Sequence, residues 1–182
     1  MREKSKKLCL KKNKIISVYS SLIPWKGILE LIKGYELLEN DIRKNYPLRI
    51  YGDGIQKDII LNLCRKIDNL SYEGFCSPEI ILQDSCITIC SSISFENCPI
   101  SVLESIASGK PTFSLGIGGQ NEILHKNNKF INCLDNEKLI SSLVKLSDDE
   151  LLKICEMNAL DYDQNYSSSI FERKIKNNLI DK

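Results

Sequence analysis

The stretch Ser94-Phe95-Glu96-Asn97-Cys98-Pro99-Ile100-Ser101-Val102-Leu103-Glu104 contains the transition that decides the fold. It follows an apolar run, Cys86-Ile87-Thr88-Ile89-Cys90, which has the composition of a buried strand. Pro99 suits the first position of a helix, where its missing N–H would have no intrahelical partner, and the side chain of Asn97 is placed to cap that helix. We therefore predict a strand, a loop and a helix that opens near Ile100.

The start of this helix is predicted to bind an anion. Its unpaired backbone N–H groups and the positive end of its dipole attract a diphosphate. Glu96 precedes this anion-binding helix start and Glu104 lies one turn inside the helix. Their carboxylates can therefore accept hydrogen bonds from hydroxyl groups on either side of a diphosphate. A sugar and a ribose fit that description, and the segment predicts a nucleotide-sugar site. The residues predicted to surround the diphosphate at the helix start are Asn97, Cys98, Pro99, Ile100 and Ser101. Two glutamates at this spacing also occur by chance on solvated helices, so the rest of the chain has to support the interpretation.

Short runs typical of β-strands alternate with helical patterns along the whole chain. This alternation is typical of a parallel sheet with helices on both faces, so we expect one α/β domain with about six parallel strands. The predicted strands are 15–19, 48–51, 70–73, 86–90, 112–115 and 129–132. Ser147 and Glu150 form the pattern of a capping box, and C-terminal helices are expected over 149–180, the last of them from Ser168.

The first fourteen residues form a basic segment ahead of the predicted domain, 15–182. They carry seven lysine and arginine residues and one glutamate, whereas the whole chain has a formal net charge of +1. A basic arm of this kind can favour an anionic membrane surface, although most such termini are solvated tails. No aromatic residue is interleaved with these lysines, so we expect no nucleic-acid partner. No apolar run approaches the length of a membrane span or of a signal-peptide core.

The eight cysteines favour a reduced protein. They contain no Cys-x-x-Cys pair, and Cys86 and Cys90 fall inside the apolar strand pattern. We therefore expect reduced core cysteines, a cytoplasmic location, no bound metal and no cofactor. The single histidine, His125, is expected to be a solvated residue on a surface helix.

Polar and glycine-rich loops follow the predicted strands. In an open parallel sheet, ligands bind beyond the carboxyl ends of the strands, where these loops gather. The loop residues singled out are Ser21, Lys26, Gly54, Gly74, Phe75, Gly118 and Gly119. Each of these residues alone is weak evidence for a ligand site, because Gly-Asp-Gly is usually a plain turn and a lysine at a helix start is often solvated. Their shared position at one edge supports a ligand site.

The chain resembles the C-terminal, donor-binding half of a GT-B glycosyltransferase of family 4 (group 1). The segments that carry the resemblance are 22–27 with Lys26-Gly27, 48–54 with Gly-Asp-Gly, 72–75, 92–109 with Pro111, and 116–123. The resemblance covers residue 15 to the end. It implies a Rossmann-like fold and transfer of a sugar, with retention, from a nucleoside diphosphate sugar to an acceptor hydroxyl. Synthesis of polysaccharide or lipopolysaccharide is the implied setting.

The resemblance also implies a role for each site residue. Lys26 is expected to contact the donor diphosphate and to be catalytic, and Glu96 to face the donor sugar and the reacting centre. Glu104 is expected to hold the ribose hydroxyls. Gly74 and Phe75 match the loop beside the base, and Gly118 and Gly119 match the loop that borders the sugar.

Two departures from the family pattern stand out. Ser21 occupies the position, five residues before Lys26, where the family usually has an arginine as a second diphosphate ligand. A hydrogen bond to a charged group contributes about 1.5–3 kcal/mol, so we expect the serine to cost about ten- to hundredfold in donor affinity or rate. The N-terminal acceptor-binding half of the family's fold is also absent from this sequence, so we expect a separate acceptor-binding domain or subunit.

Other interpretations remain open at this point. A truncated relative that binds a nucleotide sugar without turnover is the main alternative. A phosphorylase or epimerase on the same architecture would need a cofactor lysine in its own context, or acids and histidines that a chain with one histidine cannot supply. A flavodoxin-like or receiver domain fits the alternation of elements but explains neither Glu96 with Glu104 nor the glycine loop. The donor base, the sugar and the acceptor are not identified by the sequence.

Overall fold

The computed structural model describes residues 2–124, 135–170 and 172–173. Within them, five parallel strands form one sheet in the order β3-β2-β1-β4-β5. The strands are β1 (Ile16–Tyr19), β2 (Leu48–Tyr51), β3 (Leu70–Gly74), β4 (Ile87–Cys90) and β5 (Thr112–Ser114). This confirms the predicted α/β class and the first five strands. The predicted sixth strand, 129–132, and His125 lie outside the described residues.

Helices cover both faces of the sheet. They are α1 (Arg2–Cys9), α2 (Ile28–Glu36), α3 (Asn40–Asn45), α4 (Lys57–Cys64), α5 (Pro78–Asp84), α6 (Ile100–Ala107), α7 (Gly119–Leu124), α8 (Asn136–Leu143) and α9 (Asp148–Asn165). Helix α2 packs against α8, whereas α1, α5, α6 and α9 pack among themselves. Right-handed crossovers on either side of β1 place these two groups on opposite faces.

The core of the protein lies on both faces of the sheet, since the strands are buried on both sides. Ile16 and Val18 of β1 are buried on one face, and Ser17 is buried on the other, where its hydroxyl accepts a bond from Ser85 at 2.6 Å. Full burial of an aliphatic side chain contributes about 1.5–3 kcal/mol. The sheet is therefore a rigid frame whose carboxyl edge carries the loops discussed below.

The amino-terminal segment differs from the solvated tail expected for it. Residues 2–9 form α1, which packs against α9. The Arg2 guanidinium pairs with both oxygens of Asp163 at 2.6 and 2.8 Å, and Lys6 pairs with Glu156 at 2.8 Å. The sequence shows the charges of this segment but not their partners, which lie about 150 residues further along the chain.

Three buried thiols anchor the end of α1. The Cys9 sulfur lies 3.5 Å from that of Cys155 and 3.4 Å from that of Cys86. A hydrogen bond with the Cys155 thiol, and a second, smaller contribution from the Cys86 thiol, hold the pKa of the Cys9 thiol well below its ordinary value. All seven described cysteines are free thiols, and Cys98 is exposed rather than in the core.

The C-terminal helix starts as predicted. The Ser147 side chain accepts from the Glu150 backbone N–H and the Glu150 carboxylate accepts from the Ser147 backbone N–H, which completes the capping box of α9. A further helical stretch begins at Ser168, and most of the predicted last helix lies outside the described residues.

Candidate functional site

Lys26 is held at the carboxyl edge of the sheet by a short 3-10 turn, Pro24–Lys26. The Ser91 hydroxyl donates to the Lys26 carbonyl at 2.7 Å, and the Asn136 amide donates to the Gly27 carbonyl at 3.2 Å and to the Ser91 carbonyl at 3.1 Å. Gly27 has a φ of 65°, and a Cβ there would lie 2.2 Å from the Ser91 carbonyl oxygen. Only glycine permits both this φ and this approach. The Lys26 loop is thus fixed to the loop that follows β4.

The Lys26 ammonium contacts Glu96 directly. Nζ lies 2.9 Å from Oε2 of Glu96, and the two side chains are 22% and 20% exposed. The second carboxylate oxygen of Glu96, Oε1, is buried and has no hydrogen-bond partner among the described residues. Since an unpaired buried acceptor costs about 1–3 kcal/mol, Oε1 is a favourable acceptor for a ligand hydroxyl.

The glycine loop positions the backbone of Glu96. Gly118 forms a parallel bridge with Glu96, and the Gly119 N–H donates to the Glu96 carbonyl at 2.7 Å. A Cβ at Gly119 would lie 1.8 Å from the Asn97 carbonyl oxygen. The sequence predicts Gly118 and Gly119 at the site, and in the structure both contact the segment 94–104 through the backbone of Glu96.

Helix α6 opens at Ile100, as predicted, but its start differs in detail. Pro99 is the N-cap residue, with φ −70° and ψ 108°, and no side chain caps the helix. The Pro99 carbonyl accepts the first helical bond, from Val102 N–H at 3.0 Å. The prediction of Pro99 as the first helical residue and of Asn97 as the cap is therefore wrong. Asn97 lies two residues before the cap, with its carbonyl against Gly119.

Glu104 lies on α6, half-buried, near the end of β1. Burial raises the pKa of its carboxyl group, and the charge of Glu79 raises it further. Glu104 is not among the residues that line the cleft and the cavity described next.

Two hollows meet at this edge of the sheet. A narrow cleft is lined by Lys26, Ser101 and the end of β4. A cavity of about 350 Å³ adjoins it, and its lining residues are Tyr19, Ser20, Ser21, Tyr51, Gly52, Asp53, Phe75, Cys76, Pro78 and Ile81. Tyr19 and Ser20 line both hollows.

Four of the predicted residues line these hollows, whereas Glu104, Gly118 and Gly119 line neither of them. Lys26 and Ser101 line the cleft, with Glu96 paired to Lys26, and Ser21 and Phe75 line the cavity. Gly54 and Gly74 support the loops around the cavity. A Cβ at Gly54 would lie 2.5 Å from the Leu22 carbonyl oxygen, and Gly74 accepts from the Gly52 N–H at 2.9 Å. Cys98 is exposed and lies outside the residues lining either hollow.

Sequence reasoning missed Tyr19 and Asn136. Tyr19 was visible as the last residue of a predicted strand, which is where ligand-facing side chains begin. Asn136 gave no signal, because its contacts with Gly27 and Ser91 span 109 and 45 residues.

Two further observations concern the described part of the chain. Within 2–124, 135–170 and 172–173, no group of three His, Cys, Asp or Glu side chains is arranged to hold a metal ion. No helix in that part of the chain is both long enough and apolar enough to cross a bilayer.

Comparisons with known proteins agree with this fold. The model of the family "Glycosyl transferases group 1" matches residues 1–160. A mutant of S. aureus TarM, in complex with fondaparinux, alpha-GlcNAc-glycerol and UDP, superimposes with a TM-score of 0.72 at 25% identity over 91% of this chain and 35% of TarM. Anabaena HepE, in complex with UDP and glucose, gives 0.78 at 17% identity over 99% of this chain and 53% of HepE.

A third structure is the C-terminal domain of LpcC, a glycosyl transferase group 1 family protein from Francisella tularensis. It gives 0.72 at 18% identity over 92% of this chain and 93% of that domain. No curated protein matched. The chain spans about a third of TarM and about half of HepE. Since the family model matches most of the sequence and the fold is that of GT-B glycosyltransferases, the chain belongs to the glycosyl transferases group 1 family.

Proposed function

We propose that this chain is the C-terminal, donor-binding domain of a retaining GT-B glycosyltransferase of family 4. The enzyme would move a sugar from a nucleoside diphosphate sugar to an acceptor hydroxyl, in polysaccharide or lipopolysaccharide synthesis. The observation that carries the proposal is the 2.9 Å contact of Lys26 with Glu96, beside the start of α6. A cation, a carboxylate and a helix N-terminus meet there at the carboxyl edge of a parallel sheet, where α/β proteins bind phosphorylated ligands.

Lys26 and the start of α6 supply the positive charge that the reaction needs. As the sugar–oxygen bond breaks, negative charge builds on the leaving diphosphate, and a compact ammonium group in a partly buried cleft stabilises it. The backbone N–H groups at Ile100 and Ser101 add donors without a side chain. In this arrangement the protein's own groups perform the role that a divalent cation performs in other transferases.

The remaining polar groups are assigned to the two ends of the donor. Oε1 of Glu96 would accept from a sugar hydroxyl, since it is buried and has no hydrogen-bond partner within the described part of the chain. Glu104 would accept from the ribose, and the 350 Å³ cavity beside Phe75 has room for the base. Because TarM and HepE were solved with UDP, uridine diphosphate is the first donor nucleotide to test.

A second domain or subunit would bind the acceptor. Trp25, Phe95 and Ile100 are 54%, 74% and 68% exposed around the Lys26 cleft, which is an apolar surface of the kind that a partner domain covers. We place the enzyme in the cytoplasm. The exposed lysines Lys4 and Lys7 of α1 offer a peripheral contact with anionic lipid at the inner face of the membrane.

One observation favours a second candidate, a nucleotide-sugar-binding module without turnover. Ser21 faces the cavity where the family usually has an arginine, so one charged clamp on the diphosphate is absent. Such a module would bind the donor and would transfer no sugar in the presence of any acceptor domain.

Calorimetric titration with UDP and GDP tests the proposal. The protein should bind one of them, and Lys26→Ala and Glu104→Ala should each weaken binding about ten- to hundredfold, the value of a hydrogen bond to a charged group. The matched controls are Lys33→Ala and Glu30→Ala, exposed residues of α2. Equal affinity for all five proteins, or no binding by the wild type, contradicts the assignment.

A further inference from the structure

Tyr19 stands between the two parts of the candidate site. It is the last residue of β1, and its side chain lines both the Lys26 cleft and the 350 Å³ cavity. A ligand with one end at Lys26 and the other in the cavity has to pass along this side chain.

The Tyr19 hydroxyl ties β1 to the beginning of α6. It donates to the Ser101 carbonyl at 2.6 Å and lies 2.8 Å from the Ser105 hydroxyl oxygen. The Ser105 hydroxyl donates to the same Ser101 carbonyl at 2.7 Å. The three groups form one bonded set in which the Ser101 carbonyl accepts from both hydroxyls, and Ser101 and Ser105 lie one helical turn apart. The contact therefore fixes both the position and the rotation of the helix start.

Glu104 is adjacent in sequence to Ser105 and within electrostatic reach of Tyr19. Burial keeps the pKa of the Tyr19 hydroxyl above its ordinary value, so this group stays a neutral donor. A fixed rotation of α6 fixes the direction in which Glu104 leaves the helix.

We propose that Tyr19 is a positioning residue that sets the rotation of α6, so that Glu104 meets the ribose while Lys26 meets the diphosphate. This inference rests on the proposed function, since it assigns Tyr19 no ligand of its own. It explains why a polar hydroxyl is placed at the junction of two hollows and bonded to the helix rather than to the loops.

The test compares UDP with 2′,3′-dideoxyuridine 5′-diphosphate, which lacks both hydroxyls that Glu104 would bind. If GDP is the better ligand, the guanosine pair replaces it. The measured quantity is the ratio of the two dissociation constants, dideoxy over natural. The proposed role of Glu104 requires a ratio well above one for the wild type and a ratio near one for Glu104→Ala.

Tyr19→Phe keeps the ring and removes the hydroxyl. We expect it to weaken UDP binding roughly two- to tenfold, the value of a neutral hydrogen bond, and to change binding of the dideoxy analogue by less than twofold. Ser105→Ala removes one hydrogen bond of the same set. It should also lower the ratio of dissociation constants, by less than Tyr19→Phe does.

The control is Tyr35→Phe. The Tyr35 hydroxyl donates to carbonyl oxygens that include those of Tyr46 and Asn69, at the opposite edge of the sheet. This variant should lower the melting temperature and leave the ratio unchanged, which separates a loss of stability from a loss of positioning.

Each outcome is decisive. No nucleotide binding by the wild type defeats the proposed function and this inference with it, whereas nucleotide binding with a wild-type ratio of one defeats the ribose role of Glu104 and therefore this inference. A high wild-type ratio that persists in both Tyr19→Phe and Ser105→Ala overturns the positioning role of Tyr19 and leaves the proposed function standing.

Discussion

Replacing Gly119 by alanine tests how closely the glycine loop must approach Glu96. The added Cβ would lie 1.8 Å from the Asn97 carbonyl oxygen and 3.0 Å from that of Glu96. Ordinary van der Waals contact begins near 3.4 Å, so the two backbone segments have to separate by roughly 1.5 Å. A movement of that size breaks the 2.7 Å bond from the Gly119 N–H to the Glu96 carbonyl.

One favourable and two unfavourable energy terms oppose each other in this variant. Alanine restricts the unfolded chain, which stabilises the protein by about 0.4–1 kcal/mol. Overpacking costs about 1–3 kcal/mol and the broken hydrogen bond about 0.5–1.5 kcal/mol. The unfavourable terms win, and we expect a net loss of about 2 kcal/mol, or a fall in melting temperature of about 4–8 °C for a chain of this size.

The effect on ligand binding should exceed the effect on stability. Glu96 is the residue displaced, and a misplacement of about 1 Å can cost a hundredfold in a positioned reaction. We expect the affinity for UDP-glucose to fall at least about tenfold and that for UDP to fall less, as measured by calorimetry. Gly109→Ala, just after α6, is the control, because its φ of 68° is strained for alanine and its added Cβ would lie 3.2 Å from the Arg2 side chain, outside the candidate site. If Gly119→Ala keeps the wild-type melting temperature and the wild-type affinities for both UDP-glucose and UDP, the reasoning is refuted.

Three further predictions concern charge and the cavity. Ser21→Arg should restore a second diphosphate contact and raise UDP affinity about ten- to hundredfold in a titration, and an unchanged affinity would mean that Ser21 does not face the phosphates. Phe75→Ala should weaken UDP binding by about 1–3 kcal/mol if the base stacks on the ring as bases do on aromatic side chains. Ile80→Ala should not, because Ile80 is an exposed residue of α5 that does not line the cavity. Burial lowers the pKa of Lys110 from 10.5 to about 8. Between these values the unfolded chain binds more protons, so this residue makes the stability rise with pH by up to about 3 kcal/mol, and urea unfolding of Lys110→Met from pH 7 to 10.5 should lack that rise.

The sequence predicted the parts of the fold that local patterns determine. Strand β4 and the opening of α6 at Ile100 follow from an apolar run and a proline, and the start of α9 follows from the Ser147 capping box. The position of Pro99 was wrong by one residue because the pattern Asn-Cys-Pro does not reveal the backbone angles.

The candidate site was predictable where its residues lie in loops after strands. Lys26, Glu96 and the pair Gly118-Gly119 came together as expected. The clamp from Asn136 and the docking of α1 were not predictable, because each joins segments far apart in the chain. Such contacts depend on which helices share a face, and a single sequence gives no direct information on that.

The pairing of Lys26 with Glu96 has an energetic consequence for the donor. A diphosphate near Nζ competes with the carboxylate for the same ammonium group, and like charges repel, so the phosphate weakens the hold on Oε2. Among the described residues Oε1 has no hydrogen-bond partner although it is buried, at a cost of about 1–3 kcal/mol. Under the proposed function, a sugar hydroxyl that donates to Glu96 would remove this cost and offset the repulsion, whereas a bare diphosphate would only add the repulsion. We therefore infer that the Glu96 carboxylate would favour the intact donor over its leaving group.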